Sequence, residues 1–315
     1  MTETSAGAPD VPPLAATSRT TPGAFAEVPQ RSTLRTRDGT ELPLYVWRAK
    51  PPRRAAIALL HGLAEHAARY AALAARLRAA GIDVYAIDLR GHGHAPGRRA
   101  WVTRFDDYLD DAAALIDHAS AECAPRATPL FLMGHSMGGA IAALYAVERL
   151  PRTRVPLAGL LLSSAALAPG RDVPAWMIAA SRVMSAVWPR FPALKIDAAL
   201  LSRDPAVVAA NRADTLVHHG AIPARTGAEL LGAMQRIAAG RAQLRLPVLV
   251  WHGTEDKLTE PEGSRAFGEH VGSPDRTLTF YEGSYHETLN DLDRERVIAT
   301  MMDWIDRHSW PTDLA

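Results

Sequence analysis

The sequence predicts an α/β fold with a mainly parallel sheet that is covered by helices on both faces. Short, continuously apolar runs alternate along the chain with segments of helical period. Such runs are typical of parallel strands, because crossover helices bury both faces of a parallel sheet. One long interval, residues 168–236, breaks the alternation. With 315 residues the chain can bury a large core, so we predict one domain that carries an insertion.

The predicted strands and helices follow one another in regular order. An alternating segment at 41–48 predicts an edge strand. The apolar runs predict further strands at 55–60, 82–87, 129–133, 157–162, 247–251 and 277–281. Helical periods predict helices at 70–80, 105–120, 137–150, 261–271 and 294–308. Ligands of such sheets bind at the carboxyl ends of the strands, so the site is expected at that edge.

These patterns divide the chain into three parts. Residues 1–28 are predicted to form a disordered tail, because they cannot bury enough apolar surface to offset the entropy of ordering. Residues 29–167 and 237–315 form the predicted core. Residues 168–236 are predicted to form a helical cap, or lid, in which apolar residues recur at helical spacing. Apolar cap residues that face the site would suit a lipid-like substrate, whereas ordinary helix packing is the alternative.

Composition limits the partners and the compartment. The formal net charge of +1 offers no electrostatic reason to expect nucleic acid as a partner. Cys123 is the single cysteine, which excludes an internal disulfide and fits a reducing compartment. The first 28 residues have no apolar core of a signal peptide, and no run of 18 apolar residues occurs. We therefore expect a cytoplasmic protein, and leave open a transient contact of the cap with a membrane or micelle.

The most informative motif is G-H-S-M-G at residues 134–138. It follows a predicted strand and opens into a predicted helix, which is the setting of a nucleophile elbow. On this tight turn the hydroxyl of Ser136 would project away from the backbone. A Cβ atom at Gly134 or Gly138 would clash within the turn, so both glycines are needed sterically. Ser136 is the candidate nucleophile.

A serine nucleophile needs a base, and the base needs an orienting carboxylate. Where these follow a G-x-S-x-G turn, both lie downstream in the order acid, then histidine. Asp256 and His286 each follow the carboxyl end of a predicted strand, so we expect them to be the catalytic acid and base. Glu255 is an alternative acid, but the loop after Gly253 favours the later residue pointing inward.

Backbone amides are the expected donors to the oxyanion. The Met137 amide begins a predicted helix beside Ser136, where developing negative charge needs a donor. The second donor is expected from the turn that follows the strand at 55–60, where Gly62 allows the Leu63 amide to point at the site. His61 in the same turn is predicted to be structural.

Several motifs together resemble the monoglyceride lipase and lysophospholipase branch of the serine α/β-hydrolases. They are H-G-x-x-E-H at 61–66, D-x-R-G-H-G at 88–93, G-H-S-M-G-G at 134–139, G-T-E-D at 253–256 and Y-H at 285–286. The resemblance spans about residues 31–308. It implies an α/β-hydrolase that cleaves a single-chain acyl ester, such as a monoacylglycerol, without a metal or organic cofactor. Ala95 departs from the family, which often has serine there.

Several alternative functions remain open at this stage. A lysophospholipase, a general carboxylesterase and a cofactor-free perhydrolase would each keep the same three catalytic residues. A non-catalytic binding protein on the same scaffold usually lacks one of them. Haloalkane dehalogenases and epoxide hydrolases use an aspartate nucleophile, which Ser136 argues against. The oligomeric state is not predicted.

Overall fold

A computed structural model describes residues 29–170 and 174–309. The tail predicted at 1–28 lies outside the described residues, as does the end of the chain after 309. Within the described residues an eight-stranded sheet forms the centre of the molecule. Its strands are β1 (Gln30–Arg35), β2 (Glu41–Trp47), β3 (Ala55–Leu60), β4 (Ile82–Ile87), β5 (Leu130–His135), β6 (Leu157–Ser163), β9 (Val248–Gly253) and β10 (Arg276–Tyr281).

The sheet is mainly parallel, as predicted. Its strand order is β1-β2-β4-β3-β5-β6-β9-β10, and every pair from β4 to β10 is parallel. β2 pairs antiparallel with both β1 and β4. The prediction of an edge strand at 41–48 is therefore wrong, because β1 covers β2. β1 is almost wholly exposed, and so it carries no apolar pattern that the sequence could have revealed.

Helices cover both faces of the sheet. The helices are α1 (Ala71–Ala79), α2 (Phe105–Cys123), α3 (Met137–Glu148), α4 (Ala175–Val187), α5 (Pro205–Ala213), α6 (Ala224–Gly240), α7 (Pro261–His270) and α8 (Arg294–His308). One core cluster joins α2, α3 and α6 to the sheet, and a second joins α1 and α8 to the opposite face. α3 is buried over most of its length, so it runs through the interior directly behind the predicted nucleophile.

The chain leaves the sheet after β6 and returns at β9, which brackets the segment predicted as the cap. This segment contains α4, α5 and the first turns of α6, together with a short antiparallel pair, β7 (Pro192–Leu194) and β8 (Ile222–Pro223). The pair β7–β8 was not part of the helical prediction. The predicted end of the cap at residue 236 falls inside α6, whose C-terminal half packs on α3. None of the described helices is long and apolar enough to span a membrane.

Candidate active site

Ser136 lies on the tight turn between β5 and α3. Its backbone has φ 54° and ψ −120°, in the positive-φ region that non-glycine residues seldom adopt. The Ser136 amide donates to the carbonyl of Ser163 at 3.0 Å, and the Ser136 carbonyl accepts from the Ala166 amide at 3.0 Å. Ser163, at the end of β6, and Ala166 thus hold this strained conformation. The Ser136 residue remains partly exposed.

The glycines around the turn are required for steric reasons, as predicted. A Cβ atom at Gly134 would lie 2.2 Å from the carbonyl oxygen of Gly138. A Cβ atom at Gly138 would lie 2.2 Å from the carbonyl oxygen of Leu60. Neither glycine has positive φ, so a side chain is excluded by the close approach of neighbouring backbone and not by the backbone conformation of the glycine itself.

Asp256 and His286 are in direct contact at the carboxyl ends of β9 and β10. The Nδ1 atom of His286 lies 2.7 Å from Oδ2 of Asp256, and both side chains are almost fully buried. Glu255, the alternative acid, is exposed and pairs with Lys257 at 3.0 Å. The geometry thus brings together the acid and the base that we predicted, and it places Glu255 outside the site.

His135, the residue before Ser136, contacts the ring of His286. The rings of His135 and His286 are 4.7 Å apart between centroids. In the described part of the chain, no hydrogen bond joins the Ser136 hydroxyl to His286. Such catalytic hydrogen bonds are often long or poorly aligned until substrate binds, so the geometry remains compatible with proton transfer.

The turn predicted to supply an oxyanion donor lies against Ser136. A Cβ atom placed on Gly62 would be 3.1 Å from Cβ of Ser136 and 2.9 Å from Oε1 of Glu65. The Gly62 amide donates to that Glu65 oxygen at 2.5 Å, which orients the turn. Nδ1 of His61 contacts the Gly62 carbonyl at 2.8 Å, and its Nε2 accepts from the Leu89 amide at 3.0 Å. His61 therefore holds the turn, as expected for a structural residue.

Comparison with known proteins identifies the family of this chain. A family model described as serine aminopeptidase, S33, matches residues 51–293. The chain is 36% identical over 270 residues to the monoacylglycerol lipase of Mycolicibacterium smegmatis, covering 86% of this chain and 94% of that protein. The chain belongs to the monoglyceride lipase family of α/β-hydrolases. The similarity extends to human monoglyceride lipase, at 33% identity over 256 residues, 81% of this chain and 82% of the relative.

A solved member of the monoglyceride lipase family has the same fold. The crystal structure of Paleococcus ferrophilus monoacylglycerol lipase aligns with a TM-score of 0.74 and 32% identity, over 85% of this chain and 100% of that chain. The predicted fold class and the predicted family are thereby confirmed. As a member of this family, the protein is a carboxylic ester hydrolase.

The charges and the burial around Asp256 and His286 shift the pKa values of both groups. Burial alone would raise the pKa of Asp256, but His286, together with hydrogen bonds from His252 and His286, outweighs burial and lowers that pKa. Burial alone would lower the pKa of His286, but the Asp256 carboxylate outweighs it and raises that pKa above 6.5. Burial and the neighbouring His286 lower the pKa of His135 to about 4, so His135 stays neutral.

Two residues beside Asp256 were missed by the sequence analysis. Nε2 of His252 lies 2.9 Å from Asp256 Oδ2, and the Thr259 hydroxyl lies 2.7 Å from the same oxygen. The other carboxylate oxygen, Oδ1, accepts from the amides of Leu258 at 2.8 Å and Thr259 at 3.1 Å. The position of His252 four residues before Asp256 was the available signal, but spacing alone did not assign it a role.

A buried charge cluster, formed by Glu65, Arg69 and Glu287, connects the turn at Gly62 to the loop that carries His286. One guanidinium nitrogen of Arg69 lies 2.6 Å from both Glu65 and Glu287, and a second lies 2.9 Å from Glu287. Burial would raise the pKa of Glu65, but Arg69 and two nearby histidines lower it to about 2. Arg69 therefore lies between two carboxylates, and its charge helps to keep Glu65 ionised.

The segment predicted as the cap contacts the turn next to the site. Nε2 of His66 lies 2.8 Å from Oδ2 of Asp214, and the His218 amide donates to the Ala64 carbonyl at 2.8 Å. Ile222 of β8 packs in a small apolar cluster with Ala64. These contacts attach the segment to the loop from which the second oxyanion donor is expected.

Proposed function

We propose that the protein hydrolyses monoacylglycerols, with Ser136 as nucleophile, His286 as general base and acid, and Asp256 as the orienting carboxylate. The observation that carries this proposal is the buried 2.7 Å contact between Asp256 Oδ2 and His286 Nδ1, at the sheet edge where β5 presents Ser136. The monoacylglycerol substrate is taken from the names of the similar lipases of M. smegmatis and human.

The proposed reaction proceeds through an acyl-enzyme. His286 Nε2 accepts the proton of the Ser136 hydroxyl as Oγ attacks the ester carbonyl carbon. The tetrahedral intermediate collapses, its bond to the alcohol oxygen breaks, and the imidazolium of His286 protonates the departing glycerol. Water then attacks the acyl-enzyme by the same route, which releases the fatty acid and returns the proton to Ser136. Asp256 holds the His286 tautomer and stabilises its charged form.

The proposed oxyanion donors are the amides of Met137 and Leu63. Met137 is the first residue of α3, and the first amides of a helix have no acceptor within it. Leu63 follows Gly62, whose backbone lies against the side chain of Ser136. Each such donor contributes about 3 kcal/mol to stabilisation of the transition state in comparable sites.

We also propose that residues 168–236 act as the cap of an apolar acyl site. Leu63 and Ile196 both pack against a small apolar cluster that contains Ile222 of this segment, which supports an apolar wall beside the proposed oxyanion donor. The Leu201 carbonyl accepts from the Glu287 amide at 2.7 Å, so the segment also reaches the loop after His286. An apolar wall suits a single acyl chain.

A lipid surface is the proposed partner of the cap. Large apolar side chains of α4 and the chain that follows it are well exposed: Trp176 (68%), Val183 (63%), Val187 (80%), Trp188 (58%) and Leu194 (61%). The exposed cations Arg182, Arg190 and Lys195 lie on the same stretch, and they suit anionic headgroups. We propose transient contact of a cytoplasmic protein with anionic lipid, through which substrate reaches the site.

Covalent labelling and a substrate panel test the enzymatic proposal. A fluorophosphonate should label the protein at Ser136, and Ser136→Ala should abolish both labelling and hydrolysis. The panel compares monoacylglycerols, lysophospholipids and nitrophenyl esters of graded acyl length, and monoacylglycerols of medium or long chain should be preferred. Wild-type turnover by Ser136→Ala would overturn the triad, and a sharp preference for acetyl esters would overturn the substrate.

Vesicle binding tests the proposed lipid contact. Trp176→Ser with Val187→Ser should weaken co-sedimentation with anionic phospholipid vesicles and slow hydrolysis of vesicle-borne monoacylglycerol. Leu292→Ser is the matched control, since Leu292 is a comparably exposed apolar residue (60%) outside this stretch. Equal binding by both variants and the wild type would contradict the lipid contact.

A further inference from the structure

His252 is a buried histidine to which the proposed mechanism assigns no step. It lies at the carboxyl end of β9 and is fully inaccessible to solvent. Its Nε2 lies 2.9 Å from Asp256 Oδ2, and its Nδ1 lies 2.7 Å from the hydroxyl of Ser264 in α7. Both ring nitrogens are therefore engaged, and one of them contacts the proposed catalytic acid.

The partners of the ring determine where its proton lies. An ionised carboxylate can only accept, so Nε2 of His252 carries the hydrogen that Asp256 receives. The other ring nitrogen, Nδ1, is held by the Ser264 hydroxyl at 2.7 Å.

The same carboxylate oxygen receives His286. Oδ2 of Asp256 lies 2.7 Å from His286 Nδ1, 2.9 Å from His252 Nε2 and 2.7 Å from the Thr259 hydroxyl. Each additional donor withdraws charge from Oδ2 and fixes its position. A carboxylate that lacked the His252 donor would therefore attract the His286 proton more strongly.

We propose that His252 is a positioning residue, whose Nε2–H donates to Asp256 Oδ2, aims this carboxylate at His286 and limits how tightly it retains the proton on His286. This inference rests on the proposed function, because it concerns the same acid and base. Its consequence is that His286 is free to act as a base at a lower pH than Asp256 alone would allow.

Other charged and titratable groups also face His286 and contribute to its titration. They are Asp256 on its loop after β9, Glu287 next to His286, Glu65 and its partner Arg69 from the turn after β3, and His135 at the end of β5. These groups are unchanged in a His252 variant. A change in the pH profile of that variant therefore reports on the contact with Asp256.

The pH dependence of kcat/KM tests the proposal. His252→Phe keeps a buried ring but removes the donor, and it should move the acidic limb upward by about half a unit to one unit. His252→Gln can still donate from Nε2 and should restore a profile close to that of the wild type. A role limited to packing would change stability without moving the limb.

Two outcomes would overturn the proposal. One is a folded His252→Phe variant whose acidic limb is unchanged, and the other is a His252→Gln variant shifted as far as His252→Phe. If His252→Phe does not fold, ring ¹⁵N shifts of the wild-type protein decide, since they must show a proton on Nε2 of His252; an unprotonated Nε2 would overturn the proposal. If Ser136→Ala retained activity, the triad would fail, and these ¹⁵N shifts would still test the His252–Asp256 bond separately.

Discussion

Arg69 and Glu287, the residue after the proposed catalytic base, form a largely buried bidentate ion pair with N–O distances of 2.6 and 2.9 Å. Breaking a buried pair leaves an uncompensated charge, which is far costlier than losing an exposed pair. We expect Arg69→Gln to lower the free energy of unfolding by about 3–5 kcal/mol, measured by urea denaturation.

Arg76→Gln is the control for this prediction. Arg76 pairs with Glu295, but both side chains are substantially exposed, at 42% and 70%. The loss in the control should therefore be below about 1 kcal/mol. Equal losses in Arg69→Gln and Arg76→Gln would contradict the buried role of Arg69.

Gly138→Ala should lower kcat strongly, whereas the same substitution at Gly232 in α6 should leave activity unchanged. The added Cβ would lie 2.2 Å from the Leu60 carbonyl and 2.4 Å from that of His61, so α3 and the turn at Gly62 must move apart. Loss of one oxyanion donor costs about a hundredfold in kcat, and we expect at least that loss in steady-state assays. Gly232→Ala adds a Cβ into open space within α6, and it should raise stability by about 0.5–1 kcal/mol with normal activity. Normal activity of Gly138→Ala would contradict the close packing.

Hydrolysis should fall as the pH is lowered, with an acidic limb above the usual range of a histidine. Burial disfavours the charged His286 ring, but Asp256, Glu287 and Glu65 outweigh burial and raise its pKa above 6.5. A general base must be unprotonated, so activity is lost as the pH falls through this raised value. A kcat/KM profile that stayed flat down to pH 5 would contradict this assignment.

Asp256→Asn should show whether Asp256 or its exposed neighbour Glu255 is the catalytic acid. Removal of the carboxylate costs a serine hydrolase about 10⁴-fold in kcat, because the base loses its orienting acceptor. Glu255→Gln is the matched control, since the Glu255 side chain is exposed and pairs with Lys257. Steady-state rates should fall in the first variant and remain near those of the wild type in the second. The reverse pattern would make Glu255 the acid.

Asp214→Ala should loosen the predicted cap from the core. The Asp214 carboxylate binds His66 at 2.8 Å and also accepts from the Leu216 amide at 2.9 Å. Hydrogen bonds to charged groups contribute roughly 1.5–3 kcal/mol, so amide hydrogen exchange in residues 205–219 should quicken about tenfold or more. Asp197→Ala is the control, because its exposed carboxylate caps a turn within the same segment. Unchanged exchange in Asp214→Ala would show that other contacts hold the segment.

Local patterns predicted the parts of the fold that are buried or sterically constrained. The apolar runs of β3, β5 and β9 identified the central strands, because burial on both faces requires apolar residues throughout. β1 could not be predicted, because its backbone pairs with β2 while its side chains stay exposed and carry no apolar pattern. For the same reason, the sequence did not show that β1 pairs with β2 and takes the edge position of the sheet.

By itself, the sequence determined the family, the strained turn at Ser136, and the candidate acid and base at strand ends, because close backbone approach and buried strands leave recognisable residue types. Tertiary structure alone decided that His252 shares Asp256 with His286, and that Arg69 reaches Glu287, 218 positions away. Such contacts depend on how the loops at the sheet edge converge. No local spacing encodes that convergence, since each partner is chosen by packing across the whole core.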